Sequence, residues 1–259
     1  MLDEIVSTKQ REVEDAKQRV PFDDLKARLR SHLAERSFRH AISVPGKLSL
    51  IAEIKRKSPS KGMLRERFDP VHLAQTLQEA GAAALSVLTD EPYFGGHLDF
   101  LRDAKQFTEI PTLRKDFIID PYQVYEAAFY EADAVLLIVR ILTEEVLLQC
   151  MQAADTVGVE PFVEVHSEAE LKLALGAGAR VIGINHRDLR MFQIDPTLSE
   201  QLVPKIPSGK IIVAESGIQR AEEVQRMKRL GVHAVLIGEA LMTAPNPAEK
   251  VKELFAGTW

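Results

Sequence analysis

Eight short apolar segments recur through most of the chain, and they constrain its fold more than any other feature. Several are rich in Val, Ile and Leu without alternation, which is typical of strands buried on both faces of a parallel sheet. They are LSLIAEI (48–54), AALSVLT (83–89), PTLRKDF (111–117), AVLLIV (134–139), EPFVEV (160–165), RVIGIN (180–185), KIIVAES (210–216) and HAVLIG (233–238). Helix-like stretches separate them, and four of these are predicted to end at a left-handed glycine: Gly81, Gly158, Gly176 and Gly231.

The number of strand–helix units predicts a closed (β/α)8 TIM barrel within the α/β class. Such barrels take about 250 residues, and this chain has 259. An open, doubly wound sheet is the alternative, but the sequence contains neither a nucleotide-binding fingerprint nor a second run of elements for another domain. We therefore expect one domain, with the barrel over residues 46–259 and a helical extension over residues 1–45.

The extension is denser in charge than the rest of the chain. Residues 1–45 contain 17 charged residues, nine basic and eight acidic. Leu25, Leu29 and Leu33 recur every four residues, as on one stripe of an amphipathic helix. Because so short a segment cannot form its own core, we expect the stripe to pack against the barrel.

Charge, hydropathy and cysteine content exclude several classes of protein. The formal net charge of -5 argues against nucleic-acid binding, which usually requires a basic surface. The first residues lack the apolar core of a secretory signal, and no stretch has the ~18 apolar residues of a membrane span. Cys150 is the single cysteine, so neither an internal disulfide nor a multi-cysteine metal site can form. We expect a cytoplasmic protein.

Polar side chains lie where the predicted strands end, although the middles of the same strands are apolar. In a barrel these ends surround one mouth, where the chemistry takes place. Burying unpaired ions is strongly unfavourable, so either the charges form a ring of salt bridges or they are catalytic. The number of such groups at one end favours the catalytic interpretation. The residues are Glu53, Lys55, Lys115, Glu164, Asn185, Arg187 and Glu215.

The loops after the last two strands have the composition of a phosphate site. Ser216-Gly217 follows the seventh strand and Gly238-Glu239 follows the eighth. Small residues let backbone N–H groups approach an anion, and many barrels bind phosphate here. Because the carboxylate of Glu239 would repel phosphate, we expect it to turn outward and leave only backbone contacts. Tight turns without a ligand are the alternative.

Other signals predict core positions rather than chemistry. His166 and His186 can lie near the barrel mouth, but they lack metal-ligand spacing, and we expect no metal. Cys150 lies on the apolar face of a predicted helix, so we expect it in the core. Phe94, Phe117 and Phe162 can form a pocket for an aromatic ring.

The charges at the mouth balance without a ligand. The negative charges of Glu53, Glu164 and Glu215 equal the positive charges of Lys55, Lys115 and Arg187. The aromatic pocket and the phosphate loops together predict an aromatic sugar phosphate as the ligand, and its phosphate brings further negative charge. We therefore expect that at least one glutamate has a raised pKa, or that backbone dipoles hold most of the phosphate charge.

Several blocks closely resemble the indole-3-glycerol-phosphate synthase family over essentially the whole chain. They are IAEIKRKSPSKG (51–62), LTDEPYFGG (88–96), LRKDFIIDPYQVYEA (113–127), FVEVHSEAEL (162–171), IGINHRDL (182–189), VAESGI (213–218) and LIGEALM (236–242). The resemblance implies a (β/α)8 barrel with an N-terminal extension over the catalytic face. It implies an enzyme of tryptophan biosynthesis without cofactor or metal. The substrate would be 1-(2-carboxyphenylamino)-1-deoxyribulose 5-phosphate, which is closed into indole-3-glycerol phosphate with loss of CO₂ and water.

The resemblance also implies roles for individual residues. Lys115 would be the general acid that activates the substrate carbonyl, and Glu164 its acid–base partner. Glu53 and Lys55 would assist dehydration and charge placement, although the residue that protonates the leaving hydroxyl stays open among Lys55, Lys115 and Glu164. Substrate-binding positions would be Ser58, Phe94, Phe117, Asn185, Arg187, Glu215 and Ser216. Phosphate would lie near Lys55, Ser216, Gly217, Gly238 and Glu239.

One departure and two alternatives accompany this interpretation. Met191 replaces a threonine frequent in the family, which leaves the fine contacts of its loop open. Phosphoribosylanthranilate isomerase shares the phosphate loops, but that family relies on a cysteine at the end of the first strand, where Glu53-Ile54-Lys55 stands here. A non-catalytic sugar-phosphate-binding barrel would tolerate loss of acid–base residues, and none is lost. We expect a monomer that binds a small anionic substrate.

Overall fold

Eight parallel strands form the centre of the molecule. The structure, a computed structural model, describes residues 1–29, 36–189, 191 and 193–259. The barrel strands are β1 (Ser49–Ile54), β2 (Ala84–Leu88), β3 (Thr112–Lys115), β4 (Ala134–Ile138), β5 (Glu160–Val165), β6 (Val181–Asn185), β7 (Ile211–Glu215) and β8 (Ala234–Ile237). All eight predicted strands are confirmed, with ends that shift by no more than two residues.

The order of the strands closes the sheet into a barrel. Each strand pairs in parallel with its neighbour along the chain, and β8 pairs with β1 through Ser49 opposite Ala234. The closed barrel is therefore confirmed, and the open-sheet alternative is wrong. Parallel strands place all their carboxyl ends at the same rim.

Helices precede the barrel and surround it. They are α1 (Leu2–Arg19), α2 (Phe22–Arg28), α3 (Phe38–Ala41), α4 (Pro70–Glu79), α5 (Glu91–Phe94), α6 (Asp99–Phe107), α7 (Pro121–Phe129), α8 (Glu144–Val157), α9 (Glu168–Gly176), α10 (Leu198–Leu202), α11 (Ala221–Leu230), α12 (Glu239–Met242) and α13 (Pro247–Leu254). The described residues also form two 3-10 turns, Val139–Ile141 and Val203–Lys205, and a hairpin of Lys57–Ser58 with Gly62–Met63. None of the helices in the described ranges is both long and apolar enough to cross a membrane.

Local sequence sets the ends of the helices. Asp69 and Asp120 each accept a backbone N–H at an N-terminus that is followed by proline, whose fixed φ suits the first helical turn. Gly158 and Gly231 end α8 and α11 in the left-handed conformation, as predicted. The prediction for Gly176 is wrong: it lies within α9, and Gly178 takes the left-handed conformation two residues later.

The extension reaches both ends of the barrel. α1 lies at the rim where the strands end: Thr8 Oγ1 is 3.0 Å from the hydroxyl of Tyr93 on α5, the short helix that follows β2. Phe38 of α3 plugs the opposite end, with its ring 6.2 Å from that of Phe162. Leu25 is buried and Leu29 partly so, but α2 ends before Leu29; Leu33 lies outside the described residues.

Lys9 joins α1 to the barrel through buried ion pairs. Its Nζ lies 2.8 Å from Asp116 Oδ1 and 3.2 Å from Asp90 Oδ2, and all three side chains are buried. Burial opposes the charge on Lys9, but the nearby Asp116 and Asp90 raise its pKa above the usual range. Removal of one partner from a buried ion pair leaves the other charge uncompensated and is strongly destabilising.

We expect the Lys9→Met variant to lose about 3–5 kcal/mol of unfolding free energy in urea denaturation. Lys17→Met is the matched control, since Lys17 lies on the same helix and pairs with Asp120 where both side chains are about one third exposed or more. That variant should lose only about 0–1 kcal/mol. Equal losses for the two variants would contradict the importance of the buried network.

Candidate active site

One cavity opens at the carboxyl ends of the strands. The structure brings together around it every residue that the sequence analysis selected for the site except Phe162. These residues are Glu53, Lys55, Ser58, Phe94, Lys115, Phe117, Glu164, Asn185, Arg187, Glu215, Ser216, Gly217, Gly238 and Glu239. They meet because side chains two residues apart on a strand share a face, and the parallel strands end at a common rim.

Lys115 lies between two buried glutamates. Its Nζ is 2.8 Å from Glu164 Oε2 and 2.9 Å from Glu215 Oε2. Burial alone would lower the pKa of Lys115, but the carboxylates of Glu164 and Glu215 raise it above its usual range. Lys115 is therefore a charged ammonium group inside the barrel, and a substrate that displaced either carboxylate could receive its proton.

The two glutamates differ although they share the lysine. Burial raises the pKa of Glu215 to about 8, since the attraction of Lys115 only partly offsets it and the charge of Glu164 adds to it. For Glu164, burial acts in the same direction, but Lys115 and His166 outweigh it and hold its pKa below the usual range. Of the two, Glu215 is therefore the glutamate that holds a proton more readily and Glu164 the one that stays ionised, which agrees with the expectation of a raised glutamate pKa.

Two glycines make room for the acidic side chains. A Cβ atom at Gly183 would lie 2.3 Å from both Glu215 Oε1 and Phe162 Cε1, and one at Gly238 would lie 2.2 Å from Glu53 Oε1. Gly238 therefore gives space to Glu53 in addition to its place in the loop after β8. Sequence reasoning missed Gly183, although a glycine inside a strand is a signal of close approach.

Glu53, near the end of β1, forms an ion pair with Lys55, the first residue after that strand. Glu53 is buried, whereas the lysine is partly exposed towards the cavity. The pair places a second ammonium group at the mouth, separate from Lys115. Both lysines thus form ion pairs with glutamates, and both line the cavity.

The loop after β7 has an unusual backbone. Ser216 and Gly217 have φ of 66° and 75°, in the left-handed region that is uncommon for residues other than glycine. At Gly217 a Cβ would lie 2.8 Å from Ile194 Cγ2, so that side chains are excluded. Strained residues of this kind cluster at functional sites.

Glu239 does not turn fully outward as expected. Its Oε2 lies 3.2 Å from a guanidinium nitrogen of Arg187, and its Oε1 lies 3.8 Å from Lys61 Nζ. The carboxylate therefore stays at the cavity rim, where these two cations attract it. An incoming phosphate would compete with Glu239 for Arg187.

An apolar side faces the charged one. The rings of Phe94 and Phe117 lie 6.0 Å apart, and Leu136 and Ile138 line the same wall. The prediction for Phe162 is wrong: its ring is buried below the cavity, against Phe38 and beneath Gly183. The cavity can thus hold an aromatic ring beside a polar, anionic group.

Cys150 is buried in the apolar core, as predicted, where burial raises the pKa of its thiol to about 12. In the part of the chain that the structure describes, no three His, Cys, Asp or Glu side chains are grouped as a metal site. His166 and His186 both contact residues of the cavity wall, Glu164 and Ser216, without lining the cavity themselves.

The fold and the cavity define a (β/α)8-barrel protein with buried acid–base groups at the carboxyl ends of its strands. Solved structures agree on the fold: a 3-hexulose-6-phosphate synthase superposes with a TM-score of 0.66 at 16% identity, covering 82% of this chain and all of that one. Thiamine phosphate pyrophosphorylase from Pyrococcus furiosus gives 0.60 at 19% identity, covering 81% of this chain and 94% of the other.

Sequence comparison identifies the family. A family model described as indole-3-glycerol phosphate synthase matches residues 2–254. Proteins of that name from Acetivibrio thermocellus and Roseiflexus castenholzii are 43% and 44% identical to this chain, covering 99% and 98% of it and 99% and 97% of their own lengths. The chain belongs to the indole-3-glycerol phosphate synthase family and is a carboxy-lyase of tryptophan biosynthesis. The resemblance noted from its motifs is confirmed.

We expect Gly183→Ala to lower kcat about 10–100-fold, because the added methyl group displaces Glu215 and thereby Lys115. The measurement is the rate of indole-product formation followed by fluorescence. Gly176→Ala is the matched control: its Cβ meets no atom within 4 Å, and the residue is helical. The control should keep full activity, and a Gly183→Ala variant that did so too would contradict the clearance argument.

Proposed function

We propose that this cavity closes 1-(2-carboxyphenylamino)-1-deoxyribulose 5-phosphate into indole-3-glycerol phosphate, with release of CO₂ and water. The observation that carries the assignment of roles is the position of Lys115 Nζ between Glu164 and Glu215, at the cavity wall. The charged lysine donates a proton to the substrate ketone. The carbonyl carbon of the protonated ketone then becomes electrophilic enough for attack by the aromatic carbon that carries the carboxylate.

The later steps restore aromaticity. After the new C–C bond forms, CO₂ is lost from the ring carbon. The former ketone oxygen is then protonated and leaves as water, while the CH₂ carbon next to the nitrogen loses a proton, which forms the C=C bond of the indole ring. Glu164 acts as the acid–base partner of Lys115 in these proton transfers. Glu53 and Lys55 assist the dehydration from the end of β1, where the two form an ion pair.

Binding divides between the two sides of the cavity. Phe94 and Phe117 pack on the aromatic ring of the substrate. Asn185 and Arg187 bind its polar groups, while Ser58 and the loops at Ser216-Gly217 and Gly238-Glu239, with Lys55, hold the phosphate. The enzyme folds a flexible substrate so that two carbons meet, which is a proximity effect that contributes several kcal/mol to catalysis, about 7–11 in favourable cases.

The chain supplies every residue in this scheme. We therefore further propose that residues 1–259 act as one domain and as a monomer in the cytoplasm, with the extension covering the cavity. A phosphoribosylanthranilate isomerase would need its cysteine at the rim, whereas Cys150 is buried on α8. Sedimentation at assay concentrations tests the monomer.

We expect Lys115→Met to lower kcat by about 100-fold or more while the substrate still binds, because general acid catalysis contributes 10²–10⁴-fold. Lys172→Met is the control, since that side chain is 73% exposed on α9. Turnover is followed by indole fluorescence, and binding by titration calorimetry. Near-normal turnover in Lys115→Met would refute the role of the lysine.

We expect kcat/KM to show an ionisation near pH 8 that Glu215→Gln removes. Protonated Glu215 predominates below that pH, and the amide mimics this form at every pH. The folded-state pKa of Glu215 is raised above its ordinary value of 4.5, so the protonated side chain stabilises the folded protein relative to the unfolded chain. This stabilisation is complete below about pH 4.5 and is lost as the pH rises through about 8.

The comparison between wild type and Glu215→Gln cancels ionisations of the substrate itself, since both enzymes use the same compound. Urea denaturation of the two proteins at pH 5 and pH 9 measures the stability effect separately. A wild-type profile without an ionisation between pH 7 and pH 9 would show that Glu215 does not govern catalysis.

A further inference from the structure

Glu164 has a second charged neighbour, on the oxygen that Lys115 does not contact. His166 follows β5, two residues after Glu164, so that strand alternation places both side chains on one side. Its Nε2 lies 3.2 Å from Glu164 Oε1, while Lys115 contacts Oε2. The histidine side chain is only 2% exposed, and it does not line the cavity. His166 can therefore act on the reaction through Glu164, but it cannot contact a substrate in the cavity.

The imidazole of His166 lies between two carboxylates. Its Nδ1 is 3.2 Å from Glu170 Oε2, and the same oxygen accepts the backbone N–H of His166 at 2.7 Å. Nδ1 has hydrogen-bond geometry to Glu170, whereas Nε2 lies within ion-pair distance of Glu164 Oε1 without being aligned for a hydrogen bond. A neutral imidazole carries one N–H, whereas an imidazolium carries a positive charge and an N–H on both nitrogens. With a carboxylate beside each nitrogen, the surroundings favour the cationic form.

Charges of alternating sign continue beyond this ring. Arg140, in the turn after β4, donates from Nε to Glu170 Oε1 at 2.8 Å and from a terminal nitrogen to Asp188 Oδ2 at 2.7 Å. The groups that face His166 are Glu164 on its own strand and Glu170 on α9. Lys115 and Glu215 act on it only through Glu164, and Arg140 only through Glu170. Burial opposes the charge of His166, but the two carboxylates raise its pKa to about 9.

The other buried histidine near the cavity has the opposite surroundings. His186 Nδ1 lies 3.0 Å from the carbonyl oxygen of Ser216, and its Nε2 lies 2.7 Å from Ser199 Oγ. One N–H donated to the carbonyl and one lone pair accepting the hydroxyl satisfy this ring in its neutral form. Burial lowers the pKa of His186 accordingly.

We propose that His166, as an imidazolium, is a positioning residue that keeps Glu164 ionised and oriented while Lys115 gives up its proton. The proposal rests on the proposed acid role of Lys115. Once Lys115 is neutral, Glu164 loses the cation at Oε2 and would be left as an unpaired buried carboxylate, which is strongly unfavourable. The imidazolium at Oε1 compensates that charge. Glu164 then stays an anion that can accept a proton, rather than taking one from solvent.

The charge of His166 is tested without a variant by NMR titration of the full-length protein with ¹⁵N-labelled histidine rings. The signal of His166 is assigned through contacts to neighbouring protons. We expect both ring nitrogens of His166 to be protonated at pH 7 and the ring to lose one proton near pH 9. In the same sample, His186 should be neutral at pH 7. A neutral His166 at pH 7 would overturn the proposal.

Its effect on Glu164 is tested by the His166→Gln variant, which retains a side-chain N–H donor but loses the charge. The pKa of Glu164 should then rise by about 1–3 units. The acidic limb of the kcat profile, where Glu164 becomes protonated, should move to higher pH by the same amount. We expect KM to change less than twofold. Glu170→Gln should shift the acidic limb in the same direction but by less. In that variant His166 loses one of the two carboxylates that favour its charged form, so the cation beside Glu164 is weakened but not removed.

The outcomes separate the two levels of the argument. A kcat profile of His166→Gln that superimposes on wild type, or one that is lowered equally at every pH, would overturn the charge role of His166. If instead Lys115→Met kept near-normal turnover, the proposed roles of Lys115 and Glu164 would fail. The charge state from NMR would still stand, because that measurement does not depend on activity. If His166→Gln does not fold, the wild-type titration decides.

Discussion

Most of the site depends on the ammonium group of Lys115 being buried between two carboxylates. One cation cannot fully neutralise two acids in a low-dielectric interior, so their environments push their pKa values apart, a pattern by which enzymes separate acid and base roles. Glu164 has His166 at its other oxygen, whereas Glu215 is packed beside Gly183 and Phe162. The difference between the glutamates therefore arises from their outer neighbours rather than from the lysine that they share.

Because side chains alternate along a strand, successive residues at the end of β3 face opposite sides of the barrel wall. Lys115 points into the barrel, whereas Arg114 and Asp116 on either side point outward, where their side chains lie 3.2 Å apart. Asp116 also pairs with Lys9 of the extension. The residues next to the central lysine are thus held by a charge network that includes α1. Loss of that network would loosen the strand end from outside the cavity.

The sequence predicted the barrel and its rim well, because both follow from local patterns. Apolar runs and helix ends are properties of neighbouring residues, and parallel strands necessarily bring their polar ends together. Clearances are harder to predict from the sequence: the pocket position expected for Phe162 is wrong, because Phe38 and Gly183 hold its ring below the cavity. The outward orientation expected for Glu239 is wrong as well, because its attraction to Arg187 acts between two separate loops. Such contacts depend on the three-dimensional register of the barrel, which no short pattern encodes.

The two buried histidines show most clearly what the sequence leaves open. His166 and His186 both follow a barrel strand, and both are almost fully buried. Their partners come from later parts of the chain: Glu170 on α9 for one ring, and Ser199 on α10 for the other. A carboxylate favours the imidazolium, and a hydroxyl group satisfies the neutral ring. The helix packed behind each strand end thus sets the charge of its histidine, and at β5 it adds a cation behind an acid–base carboxylate.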